Sequence, residues 1–336
     1  MISQKNVIKL AKKYKLMAER IERDYAMNLI LDALTHCPSS KEKIFFKGGC
    51  CIHKCFSGLT EYTPTNEVSY FSERFSDDID LTVAPELMDT KALESVFTEV
   101  GQYVKEKHGL AIGQFQFPIH ENKKQGKRNC RGYLHFQGPM FQPQKGFGAP
   151  KLKLDLTSDE TMPLPSKPVK IYDPYEQKEL CAQCYTQEDL IAEKLRALME
   201  RSAARDLYDL SLLMLKSKDK NKMDLVLLGK AIEKKFALKK MDMDFDIQKF
   251  ESRKKEFADS WVKSLKDQIS SLPPFEKFWN KENITMILSF AQTCVSAYHM
   301  DRTHVDERSP AQKKVEARPE DLVKSSLVRQ RVGRQQ

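Results

Sequence analysis

Two aspartates stand at alternate positions of an otherwise apolar run, DIDL at residues 78–81, and this pattern constrains the fold more than any other. Side chains alternate between the two faces of a β-strand, so Asp78 and Asp80 share one face while Ile79 and Leu81 point into a core. Two like charges on one face are unfavourable unless a cation lies between them. Mg²⁺ prefers carboxylate, water and phosphate oxygens. The run therefore predicts a strand with a metal-binding face.

A glycine turn precedes this strand in the segment FFKGGC, residues 45–50. The apolar residues before it predict a short buried strand, and Gly48 and Gly49 turn that strand into a helix. Because glycine has no Cβ, backbone amides at such a turn approach a phosphate closely. Lys47, directly before the glycines, is a candidate phosphate contact. The turn and the acidic strand together predict metal-dependent chemistry on a nucleoside triphosphate.

A second acidic strand is predicted by the segment KLKLDLT, residues 151–157, in which apolar and polar residues alternate. Its three leucines face a core, and its lysines and Asp155 face the other side. If this strand lies beside the strand of Asp78, we expect Asp155 to join the same acidic face.

Helical and strand patterns alternate in the first half of the chain, and helical patterns fill most of the second half. The prolines of residues 163–174 separate the two halves and predict a connector. We therefore predict an α/β (α+β) domain with N-terminal helices over residues 1–165 and a helical domain over residues 166–299. Residues 300–336 have few large apolar side chains and are predicted to form a flexible charged tail.

The composition restricts the compartment of this 336-residue chain. No apolar run approaches the ~18 residues that cross a bilayer, and no signal-peptide pattern is visible, so we predict a cytoplasmic location without a membrane span. The eight cysteines are expected to be reduced, because a chain of this size does not need disulfides. Cys181 and Cys184 have the spacing of metal ligands, but no second pair follows nearby. We interpret them as thiols in a loop rather than as a zinc site.

The net charge of +9 is concentrated between His120 and Lys153, where eight Lys or Arg residues accompany a single acid. Basic side chains contact phosphates and aromatic rings stack on bases, so this segment favours a nucleic-acid partner. A solvated hairpin whose aromatic residues belong to the core is the alternative. The aromatic residues interspersed in the segment are Tyr133, Phe136, Phe141 and Phe147.

Four motifs, FKGGC, RFSDDIDL, KLKLDLT and AEKLRALMERSAARDLYDL, follow one another in this order along the chain. Each is weak alone, but their order and spacing argue against chance. Together they resemble the AbiEii/AbiGii-type nucleotidyltransferase toxin family, which belongs to the DNA-polymerase-β-like nucleotidyltransferases. The resemblance covers roughly residues 23–215. It implies a polymerase-β-like nucleotidyltransferase domain with a mixed sheet, followed by a helical bundle that closes over the site.

The resemblance implies a role for each matching residue. Gly48 and Gly49 match the glycine turn that holds the triphosphate. Asp78 and Asp80 match the metal-binding pair, and Asp155 matches the third carboxylate on a neighbouring strand, which binds the metal at the attacking hydroxyl or acts as its base.

The C-terminal motif and the residue after the glycines need separate comment. Lys194 and Asp206 match the basic and acidic positions of the motif, so Lys194 is expected to offset charge on the triphosphate in the transition state. Asp206 would orient Lys194 or contact the acceptor, or else form a surface ion pair with Arg201 or Arg205. Cys50 stands where the family usually has Ser or Thr. Because a thiol is a weaker hydrogen-bond donor, the backbone amides are expected to bind the phosphates, with reduced affinity or activity.

The implied activity is transfer of a nucleoside monophosphate from an NTP to an acceptor, with Mg²⁺ or Mn²⁺ held by the three aspartates. Metal coordination lowers the pKa of the attacking hydroxyl and clamps the entering and leaving oxygens. The resemblance also implies the toxin of a type IV-like toxin–antitoxin or phage-defence pair, with a cognate antitoxin. RNA, with tRNA favoured, is the expected acceptor, and a protein hydroxyl stays open.

Other functions differ in which residues they need. A catalytically weak module of the same fold would bind NTP or nucleic acid without turnover and would tolerate loss of Asp155. A metal-dependent nuclease would use the same carboxylates but would need no glycine turn for a triphosphate. A P-loop kinase is excluded because no G-x-x-x-x-G-K-[ST] motif occurs. The long gap between Gly49 and Asp78 also predicts an enlarged loop over residues 59–72.

Overall fold

The fold was analysed in a computed structural model. It describes residues 1–56, 70, 75, 78–122, 127–140, 150–158, 164, 168–216, 223–266, 268–269 and 271–307. The enlarged loop predicted over residues 59–72 lies outside the described residues except for Tyr70, and so do residues 308–336 of the predicted tail.

The described chain is a succession of helices and strands whose order matches an α/β part followed by a helical part. The α-helices are α1 (Gln4–Tyr14), α2 (Ala18–His36), α3 (Gly48–Phe56), α4 (Thr90–His108), α5 (Gln187–Glu200), α6 (Ala204–Lys216), α7 (Leu225–Leu238), α8 (Ile247–Glu251), α9 (Lys254–Leu265) and α10 (Lys281–Glu307). The strands are β1 (Ile44–Lys47), β2 (Asp78–Val83), β3 (Ala111–Gln116), β4 (Ile119–Asn122), β5 (Lys127–Gln137), β6 (Lys151–Thr157), β7 (Val169–Asp173) and β8 (Lys178–Ala182).

A mixed sheet forms the centre of the α/β part, with strand order β1-β2-β6-β5-β3 and with β4 paired to β5. Strands β2 and β6 run parallel to each other. The other pairs in the sheet are antiparallel. The predicted mixed α/β architecture is therefore confirmed.

Alternation along β2 and β6 separates a buried face from a polar one. Ile79 and Leu81 of β2 are fully buried, as are the three leucines of β6. Helices α2 and α4 pack against each other, α2 contacts β6, and α4 contacts β3. Burial of these apolar side chains fixes the register, because a slip by one residue would turn the leucines to solvent.

The helical part is held by close packing of α7 against α10 and by an aromatic cluster. A Cβ added at Gly229 of α7 would lie 2.1 Å from the carbonyl oxygen of Cys294, so glycine permits the close approach of the two helices. Trp261 and Trp279 are both buried. Phe275 contacts both indole rings, with centroid distances of 5.5 and 5.6 Å respectively.

Strands β7 and β8 form a hairpin in the segment for which the sequence predicted a connector and a loop of thiols. Pro168 and Pro174 bracket β7 rather than interrupt it. Cys181 lies within β8, so its interpretation as a loop residue is wrong. The hairpin packs on α2, and the segment after it runs along β1, where the Phe46 amide donates to the carbonyl oxygen of Gln183. The domain boundary at residues 165/166 stays a prediction.

Helix α10 continues through Glu307, beyond the predicted start of the tail at residue 300. Within the described ranges, no helix has both the length and the apolar character that a bilayer crossing requires.

Candidate active site

Two carboxylates lie directly opposite each other on the polar face of the sheet. Asp80 of β2 pairs with Asp155 of β6 in the parallel register, and Asp78 pairs with Lys153. The expectation that the second acidic strand lies beside the first is confirmed. Three aspartates therefore belong to two adjacent strands, and their positions follow from the burial of the apolar residues that alternate with them.

Lys153 neutralises part of this acidic group. Its Nζ lies 2.8 Å from Asp78 Oδ2 and 2.7 Å from Asp155 Oδ2. Partial burial alone would lower the pKa of Lys153, but the hydrogen bonds to Asp155 and Asp78 outweigh burial and raise it. An ammonium group between two carboxylates shows that this position attracts a cation.

The pKa of Asp80 is raised above its ordinary value. Burial is the main cause that raises its pKa, to about 6, and the neighbouring charge of Asp78 adds to it. The positive charges of Lys47 and Lys194 act in the opposite direction. A carboxylate with a raised pKa and a second carboxylate beside it is typical of a site that needs a cation.

The glycine turn lies against Asp80. Gly48 has φ +77°, in the left-handed region, and a Cβ there would lie 2.2 Å from Asp80 Oδ2. Gly48 and Gly49 form the first two residues of α3, where backbone amides have no partner within the helix. The turn therefore aims the N-terminus of a helix, which favours anions, at the region beside Asp80.

The two residues that flank the glycines point to different places. Lys47 pairs with Asp80 across the strands, and its Nζ donates to Thr157 Oγ1 at 3.0 Å. The Cys50 thiol is buried and lies 3.2 Å from Met27 Sδ. The thiol thus belongs to the core, which leaves the backbone amide of Cys50 as its group for a phosphate.

A second charged group comes from α5 and α6. Lys194 Nζ lies 3.1 Å from Asp206 Oδ1 and 2.7 Å from Asp209 Oδ2. Arg201 Nε donates to Asp206 Oδ2 at 2.9 Å. Burial would raise the pKa of Asp206, but the charges of Lys194 and Arg201 lower it below its usual value. The predicted alternative, an ion pair of Asp206 with Arg201, is present, but Asp206 is completely buried, so the pair is not the surface pair that was expected.

The two charged groups act on one site. The charge of Lys194 lowers the pKa of Asp80, and the charge of Asp80 raises the pKa of Arg201. Helix α3 contacts β2 and also α5 and α6. The helix that begins at the glycine turn therefore contacts both the strand of Asp80 and α5, the helix that carries Lys194.

A cleft of about 400 Å³ opens beside Asp155. Arg131 Nε lies 3.3 Å from Asp155 Oδ1, and the Arg131 side chain is 64% exposed, so most of it faces solvent at the cleft. The residues that line the cleft are His120, Asn129, Cys130, Arg131, Asp155, Leu156 and Thr157. The cleft is large enough for part of a polar acceptor next to a carboxylate.

A buried polar network anchors α3 to α2. Lys54 Nζ donates to Asp24 Oδ1 at 2.7 Å, to Asn28 Oδ1 at 2.5 Å and to Tyr70 Oη at 2.8 Å. The hydroxyls of Tyr70 and Tyr175 donate to Asp24 Oδ2. The network gives Asp24 a role in holding the helix that begins at the glycine turn.

Comparison with known proteins gives one decisive match. The profile of the nucleotidyl transferase AbiEii toxin of type IV toxin–antitoxin systems matches residues 30–281. The chain belongs to the AbiEii nucleotidyltransferase toxin family. It is accordingly a nucleotidyltransferase toxin of a type IV toxin–antitoxin system, and the family implies an NTP substrate, a divalent metal and a cognate antitoxin.

Two further comparisons were made. Among solved structures, MenT4, a nucleotidyltransferase toxin from Mycobacterium tuberculosis H37Rv, is similar to this chain, with a TM-score of 0.41 and 15% sequence identity. The alignment covers 87% of this chain and 98% of MenT4. No match was found among curated protein sequences.

The residues present fit the divalent metal that the AbiEii family uses. Asp78 and Asp155 already hold the ammonium group of Lys153 between them. The third carboxylate, Asp80, lies beside the glycine turn and has a raised pKa. Carboxylate oxygens are preferred ligands of hard divalent cations.

The AbiEii-type motifs identified most of the charged residues, but not all of them. Lys153 was noted only as a polar-face residue, because a lysine on an alternating strand is usually exposed to solvent. Its position two residues before Asp155, on the same face, is the signal that would have singled it out. The resemblance assigns no role to Asp209 or Arg201, yet both contact the pair of Lys194 and Asp206.

Proposed function

We propose that this toxin transfers a nucleoside monophosphate from an NTP to a hydroxyl of RNA, with Mg²⁺ as the metal and with Asp78, Asp80 and Asp155 as its ligands. The observation that carries the proposal is the pairing of Asp80 with Asp155 on adjacent parallel strands beside the turn of Gly48. When bound, the metal would activate the acceptor hydroxyl and neutralise the triphosphate.

The glycine turn and Lys47 would hold the triphosphate. The backbone amides at the start of α3, including those of Gly49 and Cys50, have no acceptor within the helix itself and are donors for phosphate oxygens. Lys47 adds a buried positive charge next to Asp80. A side chain at position 48 would collide with the Asp80 carboxylate and displace it. The turn would therefore both bind phosphate and position a metal ligand.

Lys194 would stabilise the charge that develops on the leaving pyrophosphate. Its ion pairs with Asp206 and Asp209 hold the ammonium in one position. Arg201 shares the charge of Asp206, which leaves more of the Lys194 charge available to the substrate. Asp206 and Asp209 are thus positioning residues, and Asp155 would accept the proton of the acceptor hydroxyl or bind the metal next to it.

RNA is the acceptor that the cleft beside Asp155 favours, with tRNA as the first candidate. Arg131 lines the cleft and exposes 64% of its side chain there. Lys151 lies over the ring of Tyr133, with 4.5 Å between Nζ and the ring centroid. Cations and an aromatic ring next to a catalytic carboxylate suit a phosphate backbone with bases that stack.

The experiment is a transfer assay with each α-³²P-labelled NTP, in Mg²⁺ or Mn²⁺, with total RNA, purified tRNA or cell protein. Asp80→Asn and Asp155→Asn are expected to abolish labelling. The matched control is Asp259→Asn, which neutralises an exposed carboxylate of α9 and is expected to label as the wild type does. Label in RNase-sensitive material supports the proposal.

Two outcomes would contradict it. Label only in protease-sensitive material would make a protein hydroxyl the acceptor. Measurable NTP binding without label for any NTP would indicate the non-catalytic binding module. In addition, Arg131→Gln is expected to raise the KM for RNA and to leave the KM for NTP unchanged, because Arg131 borders the cleft and not the glycine turn.

The biological setting extends the family assignment. We propose phage defence as the role of the toxin–antitoxin pair and the cytoplasm as its compartment, since NTPs and RNA are available there. Survival of phage challenge by cells with the intact pair, compared with cells that carry Asp80→Asn in the toxin, would test the first of these.

A further inference from the structure

Three cysteines meet beside the glycine-turn helix, two from that helix and one from the segment that follows β8. The sulfurs of Cys51, Cys55 and Cys184 all lie within 4.8 Å of one another. Cys51 and Cys184 are fully buried, and Cys55 is partly exposed. The cluster uses none of the carboxylates or lysines of the active site.

The fold itself builds this cluster. Cys51 and Cys55 are one helical turn apart on α3, so their side chains share a face. Cys184 follows β8 in a short extended segment that forms a parallel bridge with Phe46 of β1. The amide of Tyr185 donates to the carbonyl oxygen of Phe46 at 3.0 Å, which fixes Cys184 beside the strand that leads into α3.

Packing alone does not explain why three thiols meet here. The chain also buries cysteines elsewhere, such as Cys37, Cys130 and Cys294, and none of them belongs to this cluster. Among the described residues, the three thiols are the group of three or more His, Cys, Asp or Glu side chains whose ligand atoms all lie within 4.8 Å of one another. Buried cysteines fill space as small apolar residues do, but convergence of three sulfurs places metal-ligating atoms together.

The geometry and chemistry suit a thiophilic cation. In tetrahedral coordination at a Zn–S distance of about 2.3 Å, two sulfurs lie about 3.8 Å apart. Sulfurs within 4.8 Å need to approach by only about 1 Å, which side-chain rotation provides. Cys51 lies in the first turn of α3, where the helix dipole favours a thiolate.

We propose that Cys51, Cys55 and Cys184 form a thiolate site for Zn²⁺. Each thiol loses its proton to solvent on binding, and the fourth coordination position is left to water or a small ligand. The partly exposed Cys55 marks the side from which the ion enters. The site goes beyond the transfer reaction and does not depend on it.

The bound ion would tie the glycine turn to the helix of Lys194. Cys51 follows Gly48 within α3, and Cys184 precedes Thr186, whose side chain caps the N-terminus of α5. Helix α5 carries Lys194. A metal that joins these two segments restricts the position of the triphosphate turn relative to the lysine, so its loss is expected to lower stability first and turnover second.

The first test is the metal content of the full-length protein, purified in reducing buffer from cells grown with Zn²⁺. About one equivalent of zinc per chain is expected for the wild type, and background levels for Cys184→Ser and Cys55→Ser. Cys55→Ser is the milder variant, because its hydroxyl can be hydrated at a partly exposed position. The control Cys294→Ser replaces a buried thiol outside the cluster and is expected to retain zinc.

A second test follows the ligands directly. Replacement of Zn²⁺ by Co²⁺ is expected to produce a sulfur-to-cobalt charge-transfer band in the wild type and in Cys294→Ser, and to lose it in Cys55→Ser. The Tm of the wild type is expected to rise with free Zn²⁺ at constant Mg²⁺, and that of Cys55→Ser is expected to stay constant.

Two results would overturn the proposal. One is a wild type without zinc and without a cobalt band although all three thiols react as free thiols in denaturant. The other is zinc retained equally by Cys55→Ser, Cys184→Ser and the wild type. Neither result depends on transferase activity, so failure of the zinc site and failure of the transfer reaction are distinguishable.

Discussion

Gly48 turns directly beneath Asp80, so closely that a Cβ at Gly48 would lie 2.2 Å from Asp80 Oδ2. The glycine turn and strand β2 are thus in van der Waals contact. A change in one of them moves the other, which under the proposed function links triphosphate binding to the position of a metal ligand.

Gly48→Ala is therefore expected to reduce transfer activity on the order of 100-fold, because a displacement of about 1 Å at a reacting centre has effects of this size. The φ of +77° at Gly48 also disfavours alanine, so the free energy of unfolding is expected to fall by about 1 kcal/mol. Activity and thermal unfolding, measured on the same preparation, separate the two effects.

The matched control for that variant is Gly109→Ala. Gly109 has φ +73° and nothing within 4 Å of an added Cβ, so alanine there meets similar backbone strain without the clash. It is expected to unfold at a lower temperature and to transfer at the wild-type rate. Equal losses of activity in the two variants would mean that the contact with Asp80 does not matter.

The pKa of Asp80, raised to about 6 mainly by burial and then by Asp78, predicts a pH-dependent metal effect. The folded protein binds this proton more tightly than the unfolded chain, so in metal-free protein its contribution to stability is full below about pH 4 and is lost as the pH rises through about 6. A divalent metal displaces the proton. The rise in Tm caused by Mg²⁺ is therefore expected to increase between about pH 5 and about pH 7.

Asp80→Asn provides the reference for this measurement. Burial also raises the pKa of Asp173 to about 6, so stability has other contributions in the same pH range. The difference between wild type and Asp80→Asn removes them. An equal Mg²⁺-induced shift in Tm at both ends of the range, after this subtraction, would contradict the assignment of Asp80 as a metal ligand.

The alternation of apolar and polar residues predicted the two acidic strands, because it depends on which side chains of each strand are buried. Leu152 and Ile79 have to reach the core, and this places Asp155 and Asp80 on the polar face. Which residue of β6 lies opposite Asp80 depends on pairing between strands that are distant in sequence, and no local pattern encodes that register. The resemblance supplied Asp155 as the third carboxylate. The ion pairs of Lys153 could not be predicted, because they depend on the pairing of β2 with β6.

The cysteines show where spacing in the sequence misleads. Cys181 and Cys184 have the separation of metal ligands, yet Cys181 belongs to β8, where its amide donates to Asp32 Oδ1. Cys184 instead meets Cys51 and Cys55. Because the hairpin of β7 and β8 was predicted as a connector, no sequence pattern predicted that its end lies beside α3.

Lys153 occupies the space between Asp78 and Asp155, so a divalent metal has to compete with its ammonium group. Lys153→Met is expected to tighten Mn²⁺ binding roughly tenfold, equivalent to about 1.4 kcal/mol, and to lower the Tm of the metal-free protein. Calorimetric titration with Mn²⁺ measures the first effect and thermal unfolding the second.

Lys151→Met is the control for the Lys153 variant. Lys151 lies on the same face of β6 and contacts the ring of Tyr133 rather than the aspartates. Lys151→Met removes the same charge from the same strand but leaves the aspartates and Lys153 unchanged. The Kd for Mn²⁺ is therefore expected to stay close to that of the wild type. An unchanged Kd in Lys153→Met, or an equal change in both variants, would argue against competition at the carboxylates.

Lys194 is buried between Asp206 and Asp209, and its removal would have two separable consequences. Lys194→Met removes a positive charge that compensates the buried carboxylates of Asp206 and Asp209. The free energy of unfolding is therefore expected to fall by about 3 kcal/mol. The double variant Lys194→Met/Asp209→Asn removes one of these charges together with the lysine. It is expected to regain most of the stability and none of the activity, because the ammonium that is proposed to face the triphosphate is still missing. Denaturant unfolding and the transfer assay test this directly, and recovery of activity in the double variant would assign Lys194 a purely structural role.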